Sequence, residues 1–118
     1  MTFETLTMEK NGRLATLTLN RPQSMNAMNG TMMKEIAEAL EELHEDKELQ
    51  VLLIKGEGRA FSAGGDIKAM MDPTNPLDID TVMVDVSRLA KALYTLPMIT
   101  IASVHGAAAG LGFSLVLG

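Results

Sequence analysis

The sequence predicts an α/β fold built on a mixed, largely parallel sheet. Three observations predict it: a β-hairpin pattern at the N-terminus, two short apolar runs at residues 51–54 and 99–104, and amphipathic helical patterns before each run. Strands that alternate with helices are typical of sheets with parallel strands. The 118 residues are enough for one domain but not for two.

The N-terminal hairpin is predicted from two strand-like segments, residues 3–10 and 13–20. Asn11-Gly12 between them is the dipeptide preferred in a two-residue type I′ turn. In the second segment Ala15, Leu17 and Leu19 alternate with threonines, which predicts one buried face.

A first helix is predicted over residues 30–46, capped by Asn29. Ile36, Leu40 and Leu43 recur at helical spacing and form the face that we expect to be buried. The glutamates of this helix fall mostly off that stripe and are interpreted as a solvated surface. His44 lies at the edge of the stripe, and we do not expect it to be a ligand or a base.

The runs at residues 51–54 and 99–104 are continuous rather than alternating, the pattern of parallel strands covered on both faces. A short helix is expected near residues 66–71. A longer helix follows over residues 79–96, ended by Pro97, with Val82, Val86, Leu89 and Leu93 on one stripe.

Composition excludes several classes of function. The net charge is −5 and the sequence has no Lys/Arg cluster, which argues against nucleic-acid binding. With no cysteine, no spacing typical of metal ligands, no signal-peptide pattern and no uncharged apolar run of about 18 residues, we expect a soluble, cytoplasmic protein without a metal site.

A glycine-rich segment follows each of the two apolar runs: residues 60–68 (AFSAGGDIK) and residues 105–112 (HGAAAGLG). Each is predicted to open a helix, where unpaired backbone N–H groups and the positive end of the helix dipole are presented. Two such helix starts side by side suit a reaction whose transition state is an oxyanion.

With residues 20–27 (NRPQSMNA), 60–68 and 103–112 in this order, the chain resembles the enoyl-CoA hydratase/isomerase (crotonase) family. The resemblance covers the whole chain but only the N-terminal half of the usual family domain. It implies a crotonase-like fold of ββα units, and we expect residues 1–118 to be one incomplete domain, truncated before the C-terminal helical part.

The resemblance implies a lyase or isomerase of fatty acid metabolism that acts on acyl-CoA thioesters. The thioester carbonyl would accept hydrogen bonds from the backbone amides of Gly65 and Leu111, so that an enolate-like charge is stabilised. Coenzyme A would enter as part of the substrate, with no separate cofactor, and the protein would form a homo-oligomer, a trimer or hexamer.

The implied substrate contacts fall in the same motifs. Gln23, Ser24 and Met25 would line the coenzyme A path, and Ala63, Asp66 and Ile67 would flank its adenine and pantetheine end. Gly64 and Gly110 would let the backbone approach the ligand, since they carry no Cβ. The nearby cations are Arg21, Lys55, Arg59 and Lys68, each of which is interpreted first as an ordinary solvated charge.

The chain departs from the family pattern at Ser114, where the hydratases carry their first catalytic glutamate. Water addition needs paired carboxylates, which a serine hydroxyl cannot replace. The later acids of hydratases and isomerases would fall beyond Gly118, so hydration and isomerisation both stay open. His105 is interpreted as a turn residue rather than a base.

Two other functions are alternatives to this resemblance. Residues 106–112 also fit the G-x-x-x-G-x-G phosphate turn of NAD(P)-binding short-chain dehydrogenases, but that turn normally opens the first βα unit and precedes an acidic residue. The second alternative is a non-catalytic chain, either a truncated fragment or a structural piece that drives association.

Overall fold

The computed structural model describes residues 3–62 and 79–104, with only the backbone described for residues 79–83. Four strands, two helices and one 3₁₀ turn follow one another along the described chain. They are β1 (Leu6–Asn11), β2 (Leu14–Leu19), the 3₁₀ turn (Pro22–Ser24), α1 (Gly30–His44), β3 (Val51–Gly56), α2 (Ile79–Tyr94) and β4 (Ile99–Ser103).

The four strands form one mixed sheet in the order β1-β2-β3-β4. β1 is antiparallel to β2, while β2, β3 and β4 run parallel. The chain passes through α1 between β2 and β3, and through α2 between β3 and β4. The predicted α/β fold with a mixed, mostly parallel sheet is therefore confirmed.

The hairpin turn differs from its prediction by one residue. Asn11 pairs with Leu14, so the two-residue loop is Gly12-Arg13, with a φ of +62° at Gly12. A positive φ at the first central residue alone is typical of a type II′ turn, so the predicted type I′ turn at Asn11-Gly12 is wrong. The observed register sets Leu6 opposite Leu19, whereas a turn at Asn11-Gly12 would set the charged Glu4 there.

Helix α1 agrees with the sequence pattern. The Asn29 side chain accepts a hydrogen bond from the Met32 backbone N–H at 2.8 Å, as an N-cap residue does. Ile36, Leu40 and Leu43 are buried and share one hydrophobic core with β2 and β3. Among residues 3–62 and 79–104, no helix combines the length and the apolar character needed to cross a bilayer.

The two apolar runs are not buried on both faces, which corrects the prediction made for them. Leu52 and Ile54 of β3 are buried in the core that they share with α1, but Val51 and Leu53 on the opposite face are only half-buried. Ile99 and Ile101 of β4 are 67% and 51% exposed. The prediction from the continuous apolar pattern is wrong for β4 because β4 is an edge strand of the described sheet. No described element covers the face that carries Ile99 and Ile101.

Candidate functional site

The carboxyl ends of β2, β3 and β4 meet at one edge of the sheet. Leu19 pairs with Gly56, and Lys55 pairs with Ser103, so the three parallel strands end almost level with one another. In open α/β sheets ligands bind outside this edge. The three sequence motifs begin here, because residues 20–27, 60–68 and 103–112 follow β2, β3 and β4 in turn.

Three predicted coenzyme A contacts, Gln23, Ser24 and Met25, lie in the loop after β2. Gln23 is exposed, and Ser24 and Met25 are half-buried. The 3₁₀ turn is closed by hydrogen bonds from the Ser24 N–H to the Arg21 carbonyl at 2.9 Å and from the Met25 N–H to the Pro22 carbonyl at 3.1 Å. The turn thus presents Gln23 to solvent beside the carboxyl edge.

Arg21 makes two side-chain contacts within its own loop. Its guanidinium donates to the Ala27 carbonyl and reaches the Ser24 Oγ at 3.5 Å. Of the other candidate phosphate contacts, Lys55 and Arg59 are exposed, and Lys68 lies outside the described residues. Arg21 therefore acts first as a brace of the loop.

Asn26 is the residue of this region that sequence reasoning missed. Its side chain is fully buried, and its backbone is left-handed with a φ of +54°. The amide nitrogen Nδ2 donates to the Glu57 carbonyl at 2.9 Å and to the Ala60 carbonyl at 2.8 Å, and the amide oxygen Oδ1 accepts from the Arg21 N–H at 2.7 Å. One side chain therefore joins the loop after β2 to the loop after β3.

A further hydrogen bond runs the other way between the two loops. The Ser62 hydroxyl donates to the Asn26 backbone carbonyl at 2.8 Å, and Ser62 is itself buried. The interloop clamp, as we call Asn26 with its partners Glu57, Ala60 and Ser62, includes the first residues of the predicted oxyanion segment (residues 60–68) and ends three residues before Gly65. The only sequence signal was the position of Asn26 within the NRPQSMNA motif.

Two glycines let the loops pack this closely. A Cβ on Gly56 would lie 2.5 Å from the Phe61 carbonyl oxygen and 2.8 Å from that of Ala60. Gly58 has a φ of +88°, and a Cβ there would lie 2.8 Å from the Cβ of Pro22. Neither approach is open to a residue with a side chain unless the backbone shifts.

The remaining predicted site residues lie outside the part of the chain that the structure describes. These are Ala63, Gly64, Gly65, Asp66, Ile67, His105, Gly110, Leu111 and Ser114. Their roles stay predictions from the sequence.

The groove between α1 and α2 is lined by several titratable side chains, among them His44, Glu41 and Arg88. His44 is half-buried, with its Nε2 2.9 Å from the Ala92 carbonyl oxygen and 3.4 Å from the Thr95 Oγ1. Arg88 contacts Glu41 with both ends of its guanidinium fork, at 2.9 and 2.5 Å, and lowers the pKa of that carboxyl. These contacts join the two helices and indicate a structural role for His44.

Glu35 also departs from the predicted solvated surface. Its carboxylate accepts from the Glu4 N–H at 2.8 Å, the Thr5 N–H at 2.8 Å and the Thr5 hydroxyl at 2.6 Å. Burial raises the pKa of this carboxyl, but the three hydrogen bonds outweigh it and hold the pKa below its usual range. Within residues 3–62 and 79–104, no three His, Cys, Asp or Glu side chains lie close enough to hold a metal ion.

Comparison with known proteins agrees with this arrangement of strands and motifs. The family model described as enoyl-CoA hydratase/isomerase matches residues 9–118. The "Probable enoyl-CoA hydratase echA8" of Mycobacterium tuberculosis (strain CDC 1551 / Oshkosh) is 38% identical over 117 residues, covering 99% of this chain and 44% of that protein. The "1,2-epoxyphenylacetyl-CoA isomerase" of Escherichia coli (strain K12) is 40% identical over 106 residues, covering 87% of this chain and 40% of that protein.

Solved structures agree as well. An enoyl-CoA hydratase from Mycobacterium avium subsp. paratuberculosis K-10 superposes with a TM-score of 0.86 at 32% identity, covering 99% of this chain and 45% of that one. The chain thus spans less than half the length of the relatives it matches. The match over residues 9–118 and the crotonase fold together give one conclusion: the chain belongs to the enoyl-CoA hydratase/isomerase family.

Proposed function

We propose that the full-length protein binds an acyl-CoA thioester and stabilises an enolate-like charge on its carbonyl oxygen through the backbone amides of Gly65 and Leu111. One observation carries the proposal: β3 and β4 are adjacent and parallel, and they end in register with Lys55 opposite Ser103. The segments that contain the two predicted donors leave the sheet from these neighbouring strand ends.

The distances expected of neighbouring strands fit this chemistry. Adjacent strands lie about 4.8 Å apart. Two N–H donors that share one oxyanion each lie about 3 Å from it, so their nitrogens are separated by at most about 6 Å. Segments that leave β3 and β4 side by side therefore start at the separation that such a pair of donors needs.

The substrate class has two supports besides this geometry. The names of the Mycobacterium tuberculosis and Escherichia coli relatives both specify coenzyme A thioesters. Gln23 is exposed at the same edge of the sheet, where the resemblance expects the coenzyme A path. Coenzyme A is then part of the substrate, and we propose no separate cofactor.

Ser114 stands where family hydratases carry a glutamate, and a serine cannot hold and deprotonate a water as paired carboxylates do.

We further propose a homo-oligomer, a trimer or hexamer, as the resemblance implies. Size-exclusion chromatography with light scattering tests that assembly directly, and a monomer at micromolar concentration would contradict it.

The test of substrate class is a thermal-shift titration of the full-length protein with crotonyl-, acetoacetyl- and octanoyl-CoA. A ligand at about 100 times its Kd stabilises the folded state by roughly 2.7 kcal/mol. Free coenzyme A and NAD(P) serve as controls, and the latter addresses the dehydrogenase alternative. Stabilisation by NAD(P) but by none of the acyl-CoA esters would overturn the proposal.

The test of the donor is the substitution Gly65→Pro, which removes the N–H. We expect turnover to fall about 10²- to 10³-fold, the usual loss for one oxyanion donor. Gly65→Ala retains the N–H and is the matched control, expected to lose less activity. A folded Gly65→Pro variant with unchanged turnover would exclude Gly65 as a donor.

A further inference from the structure

We infer that Asn26 is a positioning residue, which holds residues 57–62, the loop that leads from β3 toward the proposed donor Gly65, in one conformation. This inference rests on the proposed function, since it concerns the same site. It adds a residue whose side chain is completely buried and which we infer to act through the loop rather than on the substrate.

The geometry of Asn26 is that of a fully used hydrogen-bonding group. The backbone N–H donates to the Arg21 carbonyl at 2.9 Å, and the backbone carbonyl accepts from the Ser62 hydroxyl. In the side chain, Oδ1 accepts one hydrogen bond and Nδ2 donates two. Because Asn26 is completely buried, water cannot replace any lost partner cheaply.

The left-handed backbone of Asn26 contributes to the interloop clamp. A φ of +54° is uncommon for residues other than glycine, and asparagine tolerates it better than most. The preceding residue, Met25, has a φ of +53°. With two consecutive residues in the left-handed conformation, the backbone directs the Asn26 side-chain amide toward the loop after β3.

The partners of that amide belong to a loop that lacks regular secondary structure of its own. Residues 57–62 leave β3 at Gly56, and Glu57 remains tied to β2 through a hydrogen bond from its N–H to the Leu19 carbonyl at 2.8 Å. Beyond that point the Asn26 amide binds the carbonyls of Glu57 and Ala60, and Ser62 binds back to Asn26. Both ends of the loop are therefore held to one residue.

The end of the clamp lies close in sequence to the proposed chemistry. Ser62 precedes Gly65 by three residues, so a shift of the clamped loop displaces the start of the segment that carries the proposed donor. A misplacement of about 1 Å in a catalytic arrangement can cost about 10²-fold in rate. The clamp thus affects turnover without touching the substrate.

The experiment compares Asn26→Asp, Asn26→Gly and Asn29→Ala in the full-length protein. Asn26→Asp keeps the shape and the acceptor for the Arg21 N–H but loses both donated hydrogen bonds. Asn26→Gly removes the side chain and still accepts the left-handed backbone. Asn29→Ala, three residues along, removes the α1 cap and leaves the interloop clamp intact, so it controls for lost stability.

For both Asn26 variants we expect kcat with the best acyl-CoA substrate to fall about 10- to 100-fold, with KM little changed. Hydrogen–deuterium exchange should rise at residues 57–62 and stay unchanged in β2 and α1. Asn29→Ala should show neither effect. Folded Asn26 variants with unchanged exchange at residues 57–62, or with raised exchange and unchanged kcat, would overturn the inference.

The exchange measurement also separates this inference from the proposed function. If the wild-type protein neither binds nor turns over acyl-CoA, the proposed function fails and a role for the clamp in that reaction fails with it. The exchange data still decide whether Asn26 holds the loop. If neither Asn26 variant folds, wild-type exchange at residues 57–62 is the test, and exchange as fast as in an unprotected chain would refute the clamp.

Discussion

The substitution Gly56→Ala is expected to separate the two loops at the carboxyl edge of the sheet. A Cβ at this position would lie 2.5 Å from the Phe61 carbonyl oxygen, 2.8 Å from the Ala60 carbonyl oxygen and 2.9 Å from the Asn26 Nδ2. The first two are backbone atoms of fully buried residues. They have no rotamer by which to move aside, so the loop itself must shift.

The expected cost has two parts. Overpacking a dense interior costs about 1–3 kcal/mol. The shift also strains the hydrogen bonds from Asn26 to Glu57 and Ala60, each worth about 1 kcal/mol. If one or both of these hydrogen bonds are lost, the free energy of unfolding falls by roughly 2–5 kcal/mol in total.

The assay is urea unfolding of the full-length protein, with Gly30→Ala as the matched glycine control. A Cβ on Gly30 meets no atom within 4 Å, and Gly30 is the first residue of α1, so alanine there should be neutral or stabilise by up to about 1 kcal/mol. If the free energy of unfolding of Gly56→Ala lies within about 0.5 kcal/mol of the wild-type value, the packing argument is refuted. A change that small is typical of a substitution at the surface, where an added Cβ meets no backbone atom.

Two further predictions concern the helices. Arg88→Met should lower the free energy of unfolding by no more than about 1 kcal/mol, because the ion pair of Arg88 with Glu41 is exposed. The loss should be smaller in high salt, and urea unfolding at two salt concentrations measures the difference. Glu35→Gln should destabilise by about 1–2 kcal/mol at neutral pH, since charge-assisted hydrogen bonds from Glu4 and Thr5 are weakened. The pKa of Glu35 is lowered by folding, so its contribution is complete above the ordinary glutamate pKa and is lost as the pH falls through the folded value. Unfolding measured from pH 7 to pH 3 should therefore bring Glu35→Gln and wild type together in acid, and a constant difference would contradict this.

Local patterns predicted the helices well and the turn less well. The Asn29 cap and the Ile36, Leu40 and Leu43 stripe were readable because their determinants lie within a few residues of one another. The observed hairpin turn lies one residue further along the chain than predicted. The pairing of Leu6 with Leu19 in the core outweighs the preference of Asn11-Gly12 for a type I′ turn. Turn propensity is a local signal, whereas strand register is decided by burial along the whole pair.

Burial on both faces of a strand was not predictable from an apolar run. Val51 to Ile54 and the start of β4 read alike in sequence, yet Leu52 and Ile54 are buried while Ile99 is mostly exposed. A run of valine, isoleucine and leucine indicates that a strand suits apolar surroundings. It does not state which element covers each face, because that depends on chain distant in sequence.

The candidate site was also only partly predictable from the sequence. The motifs around Gln23 and Gly65 were recognisable as sequence, but the function of Asn26 was not, since its partners Glu57 and Ala60 lie 31 and 34 residues away. A buried asparagine and a solvent-facing loop asparagine look identical in one sequence. Only the contacts between the two loops distinguish them.

The spacing of the three motifs follows from the topology of the sheet. Parallel strands need a crossover of a dozen or more residues, and α1 and α2 supply it between β2, β3 and β4. Each crossover returns the chain to the start of the next parallel strand, and that strand ends again at the carboxyl edge. The chain therefore reaches this edge at points about 40 residues apart in sequence and about one strand spacing apart in space. The length of a crossover helix is then free to vary, whereas the level at which Leu19, Gly56 and Ser103 end their strands is not. An insertion in the exposed turn after α1 should therefore leave the site intact, while one residue inserted between Ile54 and Gly56 should shift the interloop clamp and the proposed donor segment together.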